Sequence, residues 1–571
     1  MKKLLIISSV ALVLFSMTGC KKDFLDISDP NSLNKDGLFS TPYYVDKELT
    51  TLYSNLHSIS LYGKRYMPKG VAALDKTFDQ SYISAPEWNQ YFQNQVDPAN
   101  SILSDAYRDV YKGIGLANDI LQNIDLVRNK PDITSDQQHE LNLMEAQAKF
   151  LRAWHYWVAV NYWGARPSGG GYDGTLGGVC LVTKPITTVD GFNIPVSTNA
   201  DVYDLIISDL KAAADSLPAS WDASNIARVT KWSALALIGK CYLFTQDYTN
   251  AVTYLNNVIQ NSGKSLVSWN VYKTMFNGQN EFNNESIFEI AIVHDPNTGW
   301  GSWDNHPGQM YSMVAGYWTL GADGDPHKAG QTGWNNVFVH DSCVSEFGYH
   351  VQPANTNADL FTPAYITATQ NGLATSDPRI IVNFLVPIID TLNWEDGTKA
   401  VIAKYGSETV GGDNMIAEKM LCWSIKKYSC LIGSVYSYQV NTSENFYVIR
   451  LADVYLMYAE ALIKSGGSET TARQYINAVR ARAYGNHSHD IASTGAALMT
   501  DLKHERFVEL FGEGHRWFDI CRWGDGPAMA AKFVRTRSGS ITFTNPRSYW
   551  LPFPESETRT NLALKQHPGG Y

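Results

Sequence analysis

Two short helices that touch almost backbone to backbone are written into the stretch LALIGKCYLFTQDYTNAVTYLNNVI. Leu235, Ile238, Gly239 and Tyr242 recur at steps of three and four. After a turn at Gln246-Asp247-Tyr248, Ala251, Leu255 and Val258 do the same. Gly239 and Ala251 carry almost no side chain, so the antiparallel helices can approach closely while Tyr242 and Leu255 fill the groove between them. Such a hairpin keeps an apolar face on its outer side. It is stable only when further hairpins stack on it, which commits the surrounding chain to a helical array.

The spacing is that of the tetratricopeptide helix pair, with Leu235 in place of its usual Trp and Val258 in place of its usual small residue. A second copy lies downstream, where Tyr455, Tyr458, Ala459 and Leu462 share one face and Ala472, Ile476 and Val479 the next. The turn between them, KSGGSE, is one residue longer than standard. Upstream, helical period runs through Val45, Leu49, Leu52, Leu56 and Ile59, and again through Ile102, Ala106, Val110, Ile114, Ala117 and Leu121. Leu141, Met144, Ala148, Leu151 and His155 continue it up to the breaker Gly164-Ala165-Arg166-Pro167, and Pro167 to Pro195 is loop and turn. Asp201 to Leu217 and Leu502 to Trp523 are further expected helices. Between them the period is lost from Ser265 to about Asn445, where only ESIFEIAIV (Glu285–Val293) has a strand pattern. Four tryptophans follow in a Gly-rich loop, a length that is usually functional and a composition that argues against disorder. The expected fold is mainly α: a tetratricopeptide-like helical-repeat scaffold, an α-α superhelix, in two blocks at 41–264 and 445–571. These flank a large loop-rich, ligand-binding insertion with short strands at 265–444.

The first residues, MKKLLIISSVALVLFSMTGC, begin with Lys2 and Lys3, continue with an apolar run from Leu4 to Phe15, and end in small residues before Cys20. Ending in T-G-C, the segment reads as a lipobox, with Met17 where Leu is usual. Residues 1–19 are thus expected to be a signal peptide, and Cys20 the lipid-bearing start of a tether, 20–40, that docks through Phe24 and Leu25. The run is shorter than the ~20 apolar residues a spanning helix needs. Several acyl chains, at about 0.8 kcal/mol per buried methylene, make a stable surface anchor. No C-x-x-C pair occurs, which argues against structural zinc and thioredoxin chemistry. Cys241 and Cys521 lie in apolar helical segments as buried thiols, and Cys422 with Cys430 is the nearest pair.

An apolar fraction of 44% with 18% charged residues calls for a packed core. A net charge of -10 argues against a nucleic-acid binder, which needs clustered cations. There is no G-x-S-x-G, P-loop or Rossmann fingerprint, and His504-Glu505 begins an H-E with no second His at zincin spacing. His294, His306, His327, His340 and His350 show no ligand spacing, so no metal site is expected. Loops such as ADGDP have calcium's oxygen chemistry; a structural calcium stays open there without support, and the expected cofactor set is none. In ERFVELFGEGHRWFDICRW, Glu505, Arg506, Glu509, Arg516, Asp519 and Arg522 stand at helical spacings and are expected to form ion pairs between helices rather than a catalytic acid pair.

DFLDISDP after the lipid cysteine, VIRLADVYLMYAEALI, INAVRARA, ERFVELFGEGHRWFDICRWG and the closing YWLPFPESETRTNLALKQHPGGY, in this order, resemble the SusD/RagB family of outer-membrane nutrient-binding lipoproteins. The resemblance implies a non-catalytic receptor on the external face of the outer membrane. It would cap a SusC-like TonB-dependent barrel transporter and deliver captured oligosaccharide to it, or peptide in the RagB branch. It also implies a ligand site on the loop-bearing side, formed by the early helix-loop region and the central insertion.

A pyranose ring stacks its C–H face on an indole or phenol, and neighbouring amides and carboxylates take its hydroxyls. Each buried ring contributes on the order of 1–3 kcal/mol, so two or three give micromolar-to-millimolar affinity after ordering costs. Trp88 in SAPEWNQYF, with Asn89 beside it and Tyr82 upstream, is one group of candidates. Trp300, Trp303, Trp318 and Trp334, flanked by Gly and polar residues, are the other, with Asp304, Asn305, Asn335 and Asn336 as hydroxyl partners. Trp154, Trp157 and Trp163 lie on a helix and are expected in the core. Two rival readings stay open at this point. One is a lipid-anchored glycoside hydrolase drawing on Glu281, Glu285, Asp304 and Asp323; the other is a helical-repeat adaptor whose ligands are proteins.

Overall fold

A computed structural model describes residues 39–58, 60–62, 78–80, 87, 90–91, 93–292, 318–321, 330–331, 337–339, 341–350, 362–386, 391–393, 399–402, 424–428, 444–532, 542–569 and 571. Where the apolar period of three and four runs through the sequence, helices form, and their caps fix where they start. α1 (Pro42–Leu56) opens with proline, which needs no amide donor in the first turn. α2 (Ser101–Arg128) is capped by Asn100, which accepts the Leu103 amide at 3.1 Å. α3 (Ser135–Trp163), α4 (Asn199–Ser216) and α5 (Lys231–Phe244) begin with reciprocal capping boxes on Thr134, Thr198 and Thr230. α6 (Tyr248–Asn261) starts from Asp247, which accepts the Asn250 amide at 3.1 Å. The other longer helices are α7 (Pro363–Thr375), α8 (Leu451–Lys464), α9 (Glu469–Tyr484), α10 (Gly495–Glu509) and α11 (Arg516–Trp523).

From α1 to α6 each helix packs on the next; α6 then packs directly on α8, and α8 on α9 and α10. The result is a mainly helical, tetratricopeptide-like scaffold that the chain leaves after α6 and rejoins at α8. The close approach within the α5–α6 pair is real: a Cβ on Gly239 would stand 2.7 Å from the Leu255 side chain, and Ala251, Leu255 and Val258 are buried. Trp154, Trp157 and Trp163 are buried, with the first two rings stacked at 5.1 Å. Cys180, Cys241, Cys343 and Cys521 are buried free thiols. Cys20, with the expected signal and tether through residue 38, lies outside the described residues, as do Cys422 and Cys430. No helix among the described residues is long and apolar enough to cross a membrane.

Two expectations are corrected. Leu502 to Trp523 is not one helix: α10 ends at Glu509 and α11 begins at Arg516, because Gly512 and Gly514 take left-handed φ values of 75° and 82° between them. The insertion also contains a helix, α7, started by Thr362 and Pro363.

The strands are short, and their pairings are antiparallel. β1 (Phe78–Gln80) pairs with a strand of the insertion. β2 (Gly177–Cys180) and β3 (Val196–Thr198) pair with each other. β4 (Ser286–Ile290) opens the insertion, followed by β5 (Trp318–Gly321), β6 (Gly330–Gln331), β7 (Val337–Val339), β8 (Phe384–Leu385), β9 (Thr391–Asn393), β10 (Lys399–Ile402) and β11 (Ser424–Ile425). β12 (Phe446–Arg450) closes it by pairing with β4, Phe446 opposite Ile290 and Arg450 opposite Ser286, and every residue of both strands is buried. The insertion therefore departs and returns through one buried ladder. Within it, β6-β5-β10-β9 form a four-stranded sheet and β8 pairs with β11, while β1 reaches in from the N-terminal block to pair with β7.

Candidate functional site

The root of the insertion is fixed by charge as well as by strands. Arg450, at the end of β12, donates to Glu285 and Glu509 at 2.6 Å each and to Glu513 at 2.7 Å. Arg379, from the insertion, pairs with Asp377 at 2.6 Å, Glu505 at 2.5 Å and Glu509 at 2.9 Å. Lys427, also from the insertion, donates to Glu513 at 2.7 Å. The side chains of Arg379, Lys427, Arg450, Glu505, Glu509 and Glu513 are fully enclosed. Burial pushes Glu509 up, but the guanidinium groups of Arg482, Arg450 and Arg379 outweigh it and hold its carboxyl well below the usual range. A second lattice joins Arg506 to Asp453 at 2.9 Å and Asp519 at 2.8 Å, and Arg522 to Glu460 and Asp519. Glu505, Arg506, Glu509, Asp519 and Arg522 are thus structural, as their spacing suggested; Arg516 lies over the Phe507 ring at 5.1 Å.

On this mount, one ladder brings the early helix-loop region to the insertion. In the β1–β7 ladder Gln80 pairs with Val337. In sequence, Tyr82 follows Gln80 by two residues and Trp334 precedes Val337 by three. Within the early region, the Asn100 side-chain amide donates to the Glu87 carbonyl at 3.0 Å and to Gln90 Oε1 at 2.7 Å. Those two residues bracket Trp88 and Asn89 in the sequence. Trp318 is in β5, with Gln331 as its backbone partner. Tyr82, Trp88, Asn89, Trp300, Trp303 and Trp334 lie outside the described residues, as do Asp304, Asn305, Asn335 and Asn336.

The carboxylates of the hydrolase reading divide similarly. Asp304 and Asp323 lie outside the described residues. Glu285 is fully buried, with one oxygen 2.6 Å from Arg450 and the other 3.2 Å from Arg482. Glu281 accepts the Asn445 amide at 2.9 Å, and burial raises its pKa. Both hold the root of the insertion together. His504 Nε2 donates to the Glu346 carbonyl at 2.9 Å, so the H-E pair is structural too. Among the described residues no group of three or more His, Cys, Asp or Glu side chains has the arrangement to hold a metal ion.

One cleft escaped the sequence reading. It encloses about 270 Å³ between the loop after α4, the start of α5 and the segment leading into β4, with Trp221, Trp232, Phe282, Lys264 and Asn284 in its wall. Trp221 is flanked by Ser220 and Asp222. That is the polar setting used above to single out the insertion tryptophans, so the same criterion applied to this loop finds it. Glu289 borders the cleft as well, but both its oxygens accept the Phe282 amide, at 3.2 and 3.1 Å, and one accepts Asn445 Nδ2 at 2.9 Å.

A family model described as the SusD family matches residues 284–571, and one described as starch-binding associating with outer membrane matches residues 23–243. The SusD-like protein P25 of Formosa agariphila is 26% identical over 97% of this chain and 96% of its own length. The starch-binding protein SusD of Bacteroides thetaiotaomicron is 23% identical over 74% of this chain and 72% of its own. Among solved structures, a SusD-like protein from Bacteroides fragilis superposes with a TM-score of 0.71 at 22% identity, covering 94% of this chain and 99% of that one. A laminarin-binding SusD-like protein superposes with a TM-score of 0.67 at 23% identity, covering 93% and 99%.

Proposed function

This chain belongs to the SusD family, and we propose that it captures oligosaccharide or polysaccharide and passes it, uncleaved, to a SusC-like TonB-dependent outer-membrane transporter. Its place would be the external face of the outer membrane, held there by acyl chains on Cys20. The observation that carries the reading is the β1–β7 ladder, which pairs the early helix-loop region with the central insertion. Starch and laminarin in the names of relatives support a sugar cargo, and the outer-membrane wording of the N-terminal family description supports the location.

Binding of this kind needs no acid pair. Rings supply apolar contact and amides supply direction, so cargo is held loosely enough to be released. The lattice at the root of the insertion supports the binding loops without giving them chemistry. Calorimetric titration of the full-length chain with malto- and laminari-oligosaccharides, followed by a reducing-sugar assay on the same mixtures, tests both halves. Heat of binding with no new reducing ends is expected. New reducing ends overturn the non-catalytic reading, and no binding to any glycan overturns the receptor.

A further inference from the structure

Trp221 and Trp232 belong to none of the roles above. We propose that they form, with Lys264, a second saccharide site, at the root of the insertion and away from its loops, that takes a sugar residue bearing a carboxylate of the uronate type. Its walls come from the 219–233 and 262–289 segments, and none of its lining residues belongs to the β5–β10 region where the cargo site is placed.

The two rings pack against the core and also line the cleft. Each is only half-buried, and among the described residues neither stacks on another aromatic ring, whereas Trp154 and Trp157 stack on each other. Trp221 is also held still. Its indole N–H donates to the Val229 carbonyl at 2.9 Å, and Asp222 accepts the amides of Ser224 at 2.9 Å and Asn225 at 3.1 Å. Arg228 then ties the loop to α1 through Asp46 at 2.7 Å. Trp232 sits in the capped first turn of α5. A ligand meeting such rings does not have to order them first.

Lys264 sets the charge of the ligand. It is half-buried on the cleft wall, and among the described residues its ammonium has no hydrogen bond and no ion pair. Burial lowers its pKa, opposed in part by the Glu289 carboxylate. Glu289 forms no ion pair with it, and both Glu289 oxygens accept the Phe282 amide. A carboxylate on a stacked sugar would complete the pairing that the protein leaves open, which a neutral sugar cannot do. The exposed Asn284 and Ser220 remain on the rim for hydroxyls. At about 270 Å³ the cleft lies just under the ~300–1,000 Å³ of ordinary ligand pockets, which suits one sugar residue. Trp221 also edges a groove of about 730 Å³ between α1 and α3, where adjoining residues can run.

The test titrates the full-length chain in detergent with two probes: a (1→4)-linked glucuronic acid tetramer and cellotetraose, its neutral counterpart. The wild type should bind the acid about tenfold more tightly, the worth of one charge-assisted contact. Lys264→Met should bring the two sugars to within about twofold, Lys264→Arg should keep the preference, and Trp232→Ala should weaken the acid about tenfold. No heat from either probe, equal affinities in the wild type, or a preference that survives Lys264→Met would overturn the proposal. The Lys264 variants alter a coil position, so they keep the test valid even if the tryptophan variant misfolds. Trp303→Ala/Trp334→Ala should leave this titration unchanged, so failure at the insertion and failure here are separable.

Discussion

Glu289 shows how a single residue couples the insertion's root to pH. Burial, opposed by hydrogen bonds from Ser286, Asn445 and the Phe282 amide, pushes its carboxyl up to about 7. An unfolded Glu titrates near ~4.3. As pH rises from there toward 7, the unfolded chain gives up this proton while the folded chain keeps it, so the group's ionisation works against the fold across that window. Glu289→Gln removes the effect. Relative to wild type, the variant should be more stable at pH 7.5 than at pH 5 by roughly 2.5 kcal/mol, read from urea midpoints at both pH values. A difference independent of pH would refute the assignment. At this scale the sequence was legible where neighbours were apolar: Trp154, Trp157, Trp163, Cys241 and Cys521 are all buried. Glu289 gave no signal, because its burial arises from strands that meet only in three dimensions.

Helices were legible wherever a buried face ran along them. The α5–α6 hairpin has the turn and the close glycine contact that its spacing implied. α7 was missed for the converse reason: Thr369 is its one buried residue, so PAYITATQNGLAT carries no apolar stripe to read. The α10–α11 break was missed because helical charge spacing continues through it while Gly512 and Gly514 interrupt the backbone. The ion pairs of that run were expected, but their partners Arg379, Lys427 and Arg450 lie far away in sequence. Removing one partner of an enclosed network strands the others. Arg450→Met should therefore lower stability by about 3–5 kcal/mol, measured by chemical denaturation. A loss below about 1 kcal/mol, the range of exposed pairs, would show that the network does not hold the insertion's root.

For the whole molecule, the helical stack runs continuously from α6 to α8 while the insertion leaves and returns through β4 and β12. That arrangement separates a rigid scaffold from a loop-bearing face. Its logic was visible in the loss of helical period between the two blocks, but the β1–β7 pairing was not, since three-residue strands leave no pattern of their own. The candidate tryptophans of the insertion rest on composition and on that pairing. Native affinity electrophoresis of the full-length chain tests them most directly, with starch, laminarin and an acidic polysaccharide cast separately into the gels. The account predicts retardation in at least one gel, lost in Trp303→Ala/Trp334→Ala while its thermal unfolding stays unchanged. Migration of the wild type unaltered by every polysaccharide, or retardation undiminished in the double variant, would contradict it.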